Sequence, residues 1–250
     1  MSKVITIVGG SGYLGKRCIQ TFLKSYRDIK IYAISRNIEL NEAKKFDDRV
    51  EFIRGDALNP DSFAAYLKKS HGVIHTVGKL ISLEPPTSDS SYNKINYETV
   101  MNIAKICEGS SEKERKNFVY ISAERGLMFP LSLIFGGYIE SKRKAEEKLL
   151  KEFPKLNTVI LRPGLITDMK ERPYLTPLSI AFDLTHLVEK KLVDNILPNA
   201  GQKLGLPASS IQLDTLCLYA CAGTLGKLNQ KIYSNDYMND LNNIKNINFD

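Results

Sequence analysis

The stretch Ile5-Thr6-Ile7-Val8-Gly9-Gly10-Ser11-Gly12-Tyr13-Leu14-Gly15-Lys16-Arg17 decides the fold. Four β-favouring residues run into a glycine cluster. An amphipathic helix follows, in which Leu14, Cys18 and Phe22 recur every four residues on one face. Gly9, Gly12 and Gly15 are spaced three apart, and Gly10, Gly12 and Gly15 also fit G-x-G-x-x-G. The first glycine of such a pattern permits a tight turn. The middle one lets backbone approach a pyrophosphate, and the last lets helix and strand pack closely. The helix mouth then offers free N–H groups and a partial positive charge to phosphate oxygens. Gly9, Gly10, Ser11, Gly12, Tyr13, Leu14 and Gly15 are therefore the expected diphosphate-binding residues.

A strand–helix alternation continues outward from this turn. Ile29–Ile34, Val50–Ile53, Gly72–Val77, Asn117–Ser122 and Thr158–Leu161 read as further strands. Between them Asn59-Pro60-Asp61 opens a helix, Tyr92–Cys107 carries Ile95, Thr99, Ile103 and Ile106 on one stripe, and Tyr138–Phe153 is helical. This predicts an α/β fold, a Rossmann-like doubly wound parallel sheet with ligand loops at the strands' carboxyl ends. Residues 1–164 are expected to form the dinucleotide-binding domain, and 165–250 a small C-terminal cap completing the same unit. In the cap, Pro177–Val193 and Ile211–Gly223 read as helices, with Leu178, Phe182 and Leu187 suggesting one packed face. Lys231–Ser234 reads as a short strand and the Asn-rich end as a frayed tail.

At 250 residues, 43% hydrophobic and 25% charged, the chain suits one large core. No apolar run approaches the roughly 20 residues of a membrane-spanning helix. The first strand begins by Val4, which leaves no room for a targeting peptide within the sequence. A net charge of +7 favours anionic partners: a dinucleotide, an acidic protein or an anionic lipid surface. Nucleic acid is not expected, because no basic block with interleaved aromatics stands out. Cys18, Cys107, Cys217 and Cys221 form no C-x-x-C and are expected as buried reduced thiols. No metal is expected either, since His71 and His75 along one strand would stand roughly 13 Å apart.

Other positions fall on the ligand side. Where NAD-binding folds carry an acidic residue for the ribose 2′-hydroxyl, Ser35-Arg36 stand instead, and Arg36 can pair bidentately with a 2′-phosphate. NADP(H) is thus favoured over NAD(H), with Lys16 and Arg17 adding positive charge nearby. Asp56, followed by Ala57, suits either the adenine amino group or a plain turn. Val77, Gly78 and Pro163 complete the cofactor-side set.

Tyr138 and Lys142 lie one turn apart on one helix face. An ammonium beside a phenol favours phenolate, so Lys142 is expected to lower the tyrosine pKa from about 10 toward neutrality. Tyr138 can then exchange a proton with a substrate carbonyl oxygen that Ser122 also hydrogen-bonds. Asn96 can order a water or brace the lysine, and Lys142 can hold the cofactor ribose.

Gly9-x-x-Gly12-x-x-Gly15, Asn96-Tyr97-Glu98-Thr99, Ser122, Tyr138-x-x-x-Lys142 and Arg162-Pro163-Gly164 resemble, in order, the landmarks of the short-chain dehydrogenase/reductase superfamily in its extended or atypical form. With Tyr120–Gly126 and Gly137–Glu146, they look like a fungal atypical subgroup of accessory proteins in mitochondrial ubiquinone (coenzyme Q) biosynthesis. That subgroup is related to the nucleotide-binding accessory subunit of respiratory complex I. The resemblance implies a matrix-side, inner-membrane-associated protein of the ubiquinone-biosynthesis complex, with a retained dinucleotide pocket and an isoprenoid quinone as candidate ligand. It leaves the reaction open among an accessory role, a quinone-related oxidoreductase, a pure scaffold, and a stand-alone NADPH-dependent reductase or epimerase of a small carbonyl substrate. Ser122 and Tyr138 stand close in the chain for an extended enzyme, and the span Leu127–Phe135 between them is apolar. That span reads either as buried under the cap or as a peripheral membrane contact.

Overall fold

The computed structural model describes residues 3–39, 44–80, 88, 91–110, 115–124, 132–190 and 208–247, with the backbone alone for 132–136. Its strands are β1 (Lys3–Val8), β2 (Ile29–Ser35), β3 (Val50–Arg54), β4 (Gly72–His75), β5 (Asn117–Ile121), β6 (Asn157–Leu161), β7 (Leu165–Thr167), β8 (Ser210–Gln212) and β9 (Ile232–Tyr233). Seven of them form one parallel sheet in the order β3-β2-β1-β4-β5-β6-β9, and β7 pairs with β8 apart from it. The strand order reverses between β1 and β4, where a doubly wound sheet opens its ligand crevice.

The helices are α1 (Tyr13–Ser25), α2 (Ala64–Lys69), α3 (Thr99–Gly109), α4 (Ser132–Glu152), α5 (Thr176–Val188), α6 (Leu213–Thr224), α7 (Asn235–Asn239) and α8 (Leu241–Lys245). Successive residues of a strand face opposite sides of the sheet, which divides the core in two. Ile5, Ile7, Val119 and Ile121 pack with Phe22 of α1 and Leu216 and Ala220 of α6. Val8, Val73, Phe118 and Tyr120 turn the other way, onto Leu67 of α2, Ile103 of α3 and Leu149 of α4. Two elements of the 165–250 segment thus enter the main body, since α6 joins the α1 layer and β9 extends the sheet. Cys18 and Cys217 meet across α1 and α6 with Sγ atoms 3.5 Å apart, and all four cysteines are buried free thiols.

Several elements differ from the sequence expectation. A π-helical turn, Asn93–Glu98, precedes α3. Ile95 and Asn96 within it are both buried. Helix α4 starts at Ser132 rather than Tyr138, so the later part of the apolar 127–135 span is its first turn. Residues 127–131, where most of the expected membrane contact falls, lie outside the described residues. The C-terminal tail is not frayed as far as Ile247. Ser234 Oγ accepts from Tyr237 N–H at 3.2 Å and Asp240 Oδ1 from Asn242 N–H at 2.8 Å, so both short helices are capped. Leu178 and Leu187 of α5 are exposed rather than packed.

Candidate functional site

The glycine turn divides its work as the spacing predicts. Gly9 takes φ +94°, a left-handed conformation open to glycine at little cost. A side chain at Gly10 would collide with Ala33 of β2, and one at Gly15 with the Gly9 carbonyl and Gly10 Cα. Gly12 differs. A Cβ there would meet only the Gly9 oxygen, at 3.1 Å, so its missing side chain leaves room for something outside the protein. Gly12 is also the N-cap of α1; no side chain caps that end, and its first turn holds no acidic residue. Free N–H groups, a favourable dipole and clearance for an anion coincide here. A diphosphate fits this cradle.

From the turn, a cavity of about 270 Å³ runs along the strand ends. Of the expected cofactor residues, Gly9, Ser11, Gly12, Arg36, Asp56, Ala57, Val77 and Gly78 line it. Ser35, named with Arg36 at the ribose position, lines it as well, and so do Asn37 and Thr76, which no motif marks. Buried Ser35 accepts from Ser11 N–H at 2.8 Å, while Ser11 Oγ donates to the Asn37 carbonyl at 3.0 Å, pinning the turn to β2. Asp56 serves as a turn residue, its Oδ1 accepting from Leu58 N–H at 3.0 Å, and keeps a place in the cavity wall. Arg36 is exposed and forms no ion pair among the described residues. Arg17, by contrast, is not free for phosphate. It is held by Asp168, by Asp214 at 2.8 Å and by Glu171 at 3.5 Å. Beyond Arg36 an open depression of about 790 Å³ mixes Lys44 and Arg54 with Asp47, Asp48 and Glu51, so it is not a uniformly anion-seeking surface.

Gly10, Tyr13, Leu14, Gly15 and Pro163, expected at the cofactor, are not among the residues that line this cavity. Tyr13 lies under the Arg172 guanidinium, 3.7 Å from ring centroid to Cζ. The Pro163 carbonyl accepts from Glu124 N–H at 2.8 Å.

Lys142 and Asn96 converge behind Gly78, where a Cβ would stand 3.2 Å from Lys142 Nζ and 3.5 Å from Asn96 Oδ1. Asn96 clasps the Lys79 backbone, accepting its N–H at 2.8 Å and donating to its carbonyl at 3.0 Å. It also donates to Ser141 Oγ at 3.2 Å, which braces the residue before the lysine. Lys142 Nζ donates to the Ile121 carbonyl at 2.8 Å and lies 5.8 Å from the Tyr138 ring centroid. The expected depression of the phenol is not present in this state. Burial pushes Tyr138 up to about 12 and Lys142 down to about 7, so desolvation outweighs their mutual effect. The Tyr138 hydroxyl has no hydrogen-bond partner among the described residues. Ser122 donates its proton to Glu146 Oε1, and Arg143 and Arg162 grip the same carboxylate. The structure therefore gathers Asn96, Lys142 and Tyr138, and commits Ser122 to a carboxylate.

His75 on β4 is wholly buried 6.1 Å from the Tyr120 ring, with no partner for either ring nitrogen among the described residues. Burial, aided by the Lys142 charge, pushes its pKa down to about 3. The unfolded chain binds this proton near pH 6.5 and the folded chain only near 3. Stability on this account is complete above pH 6.5 and falls with acidification by up to about 1.4 kcal/mol per pH unit. His75→Leu is therefore expected to flatten the fall in Tm between roughly pH 6.5 and 4.5. Thermal melts across that range check it, and an unchanged slope refutes a neutral buried imidazole.

The family model described as NAD(P)H-binding matches residues 9–180. Over 237 residues the chain is 29% identical to MIOREX complex component 2 of Saccharomyces cerevisiae, covering 77% of this chain and 84% of that protein. Over 107 residues it is 28% identical to 3 beta-hydroxysteroid dehydrogenase type 7 of Mus musculus, covering 42% of this chain and 29% of that enzyme's length. The solved structure of a short-chain type dehydrogenase/reductase from Mycobacterium ulcerans superposes with a TM-score of 0.64 at 16% identity, covering 95% of this chain and 91% of that one, a likeness of fold alone. Because the family match spans the glycine turn, most of the cavity wall and the Tyr138–Lys142 helix, the chain belongs to the NAD(P)H-binding family.

Proposed function

We propose that the chain binds NADP(H) and serves mitochondrial ubiquinone biosynthesis at the matrix face of the inner membrane. There it acts as an accessory or assembly factor of the biosynthetic complex, or as a quinone-related oxidoreductase. The observation that carries this reading is the clearance at Gly12 at the mouth of α1, with Arg36 exposed at the other end of the cavity. Its place in a complex is supported by the likeness to a yeast protein named as a complex component and by the sequence resemblance to ubiquinone accessory proteins. The nicotinamide, when bound, supplies the hydride chemistry. The chain's own residues hold the diphosphate on the α1 N–H groups, the 2′-phosphate on Arg36 and the ribose hydroxyls on Lys142. A stand-alone carbonyl reductase draws on Tyr138, whose hydroxyl has no hydrogen-bond partner among the described residues and whose ring lies 5.8 Å from Lys142 Nζ. The proton that Ser122 gives to Glu146 weighs against it.

The cofactor preference is open to direct measurement. NADPH is expected to raise Tm more than NADH at equal concentration, and Arg36→Ala to erase the difference. Hydrogen bonds to a charged group are worth roughly 1.5–3 kcal/mol, or about tenfold to a hundredfold in affinity. Equal shifts in the wild type would remove the NADP preference. No shift with either cofactor would remove the cofactor reading and leave a scaffold.

A further inference from the structure

Tyr13 and Arg17 stand one turn apart on the same face of α1, and the 168–172 turn docks on that face. Arg17 draws three carboxylates to itself, Asp168 at 2.5 Å, Asp214 at 2.8 Å and Glu171 at 3.5 Å. Asp168 Oδ1 accepts from Lys170 N–H at 2.8 Å, and the Asp168 carbonyl accepts from Arg172 N–H at 2.8 Å. The backbone that carries Arg172 is therefore tied to α1. Arg172 itself takes no share of these carboxylates. Its half-buried guanidinium lies against the Tyr13 ring, Cζ 3.7 Å from the centroid, and gives no hydrogen bond or ion pair among the described residues. A guanidinium carries five N–H donors in a fork that matches phosphate oxygens, and an aromatic face is a perch that satisfies none of them.

Tyr13 directly follows Gly12, whose clearance marks the diphosphate cradle. That cradle is one-sided. The N–H groups of α1 meet a diphosphate from the helix, and of the described residues that line the cavity Arg36 alone is cationic, on the β2 side of the turn. The oxygens turned away from the helix are left for another donor. We propose that Arg172 is a further cofactor-binding residue, which leaves the Tyr13 ring to pair bidentately with the diphosphate seated on α1. The inference rests on the cofactor reading above and adds a partner from the C-terminal segment to it. Arg17 cannot take this role, because its guanidinium is committed to carboxylates. It keeps the 168–172 backbone in place instead, so that only the Arg172 side chain has to move. NADPH and NADH share the diphosphate, so Arg172 serves both, whereas Arg36 serves the 2′-phosphate.

Calorimetric titration of the full chain with NADPH and with NADH tests the assignment. Arg172→Met keeps an apolar stem over the Tyr13 ring and removes the charge. It is expected to weaken both dinucleotides alike, by about tenfold to a hundredfold. Arg172→Lys should recover part of that loss, as a point charge without the fork. Arg36→Ala should show a different pattern, weakening NADPH and sparing NADH. The Tm of cofactor-free Arg172→Met should match that of the wild type, since the guanidinium has no ion pair to lose. Equal affinities of Arg172→Met and wild type for both dinucleotides overturn the assignment and leave the cofactor reading intact. So does a loss confined to NADPH, which would put Arg172 at the 2′-phosphate. A loss that Arg172→Lys does not reduce, accompanied by a lower cofactor-free Tm, also overturns it, as the mark of a packing role. Wild-type protein that binds neither dinucleotide overturns the cofactor reading and this assignment together.

Discussion

Gly12→Asp is expected to yield a folded chain that no longer gains stability from NADPH. A ligand at one hundred times its dissociation constant adds about 2.7 kcal/mol, or about 5–10 °C in Tm for a chain of this size. The variant should lose all of it. The apo protein should lose little, since the new Cβ would stand 3.1 Å from the Gly9 oxygen and ask only a shift of a few tenths of an ångström. The N-cap backbone at Gly12 has φ −74° and ψ 167°, which any residue adopts, and aspartate there can accept from the orphan N–H groups of α1. The new carboxylate would occupy the clearance and the positive helix mouth that the cofactor diphosphate needs. Gly15→Val makes the contrasting control, because its side chain would strike the Gly9 carbonyl and unfold the turn itself. If the proposed ubiquinone role holds, Gly12→Asp should fail to restore ubiquinone synthesis, at normal protein level, in a strain lacking this protein. Tyr138→Phe should succeed if the role is accessory. A wild-type NADPH shift in Gly12→Asp would mean that the diphosphate does not lie at this turn.

The parts of this site that could be read from sequence are those in which chemistry follows from local spacing. Three glycines between a strand and a helix name the turn, and β-favouring runs alternating with helical stripes name the sheet. Tyr138 and Lys142 were placed on one helix face by their separation alone. The sign of their pKa shifts was not readable, because desolvation depends on what packs over the pair from distant strands, and here burial dominates. The roles of Ser122 and Arg17 escaped for a similar reason. Each is decided by carboxylates far along the chain, Glu146 for one and Asp168 and Asp214 for the other. The tail appeared frayed because asparagine-rich sequence lacks periodicity, yet Ser234 and Asp240 are ordinary N-cap residues. Helix α5 misled in the other direction, since its apolar residues suggested a packed face and only the tertiary contacts reveal that the polar side is the anchored one.

Glu146→Ala should leave a folded but clearly destabilised chain, by about 3 kcal/mol. The carboxylate is buried and satisfied three ways, by the Ser122 hydroxyl, by Arg143, and by the Arg162 Nε at 3.1 Å with Nη2 beside it. Removing one partner of a buried ion pair costs about 3–5 kcal/mol, because the other charge is left without compensation. Here the arginine side chains are 33% and 26% exposed and regain some water, which places the loss at the lower end. Lys148 and Glu152 on the same helix supply the comparison, an exposed i,i+4 pair whose contribution solvent screening keeps small. Lys148→Ala should barely move the urea midpoint, whereas Glu146→Ala should lower it with an unchanged slope. Glu146→Gln should fall between them, since it keeps an acceptor for Ser122 but gives up the charge. The physical content is that Glu146 ties the end of β6 to α4, the helix that also carries Tyr138 and Lys142. Equal losses in Glu146→Ala and Lys148→Ala would show that packing, and not this carboxylate, holds the helix of Tyr138 and Lys142 in place.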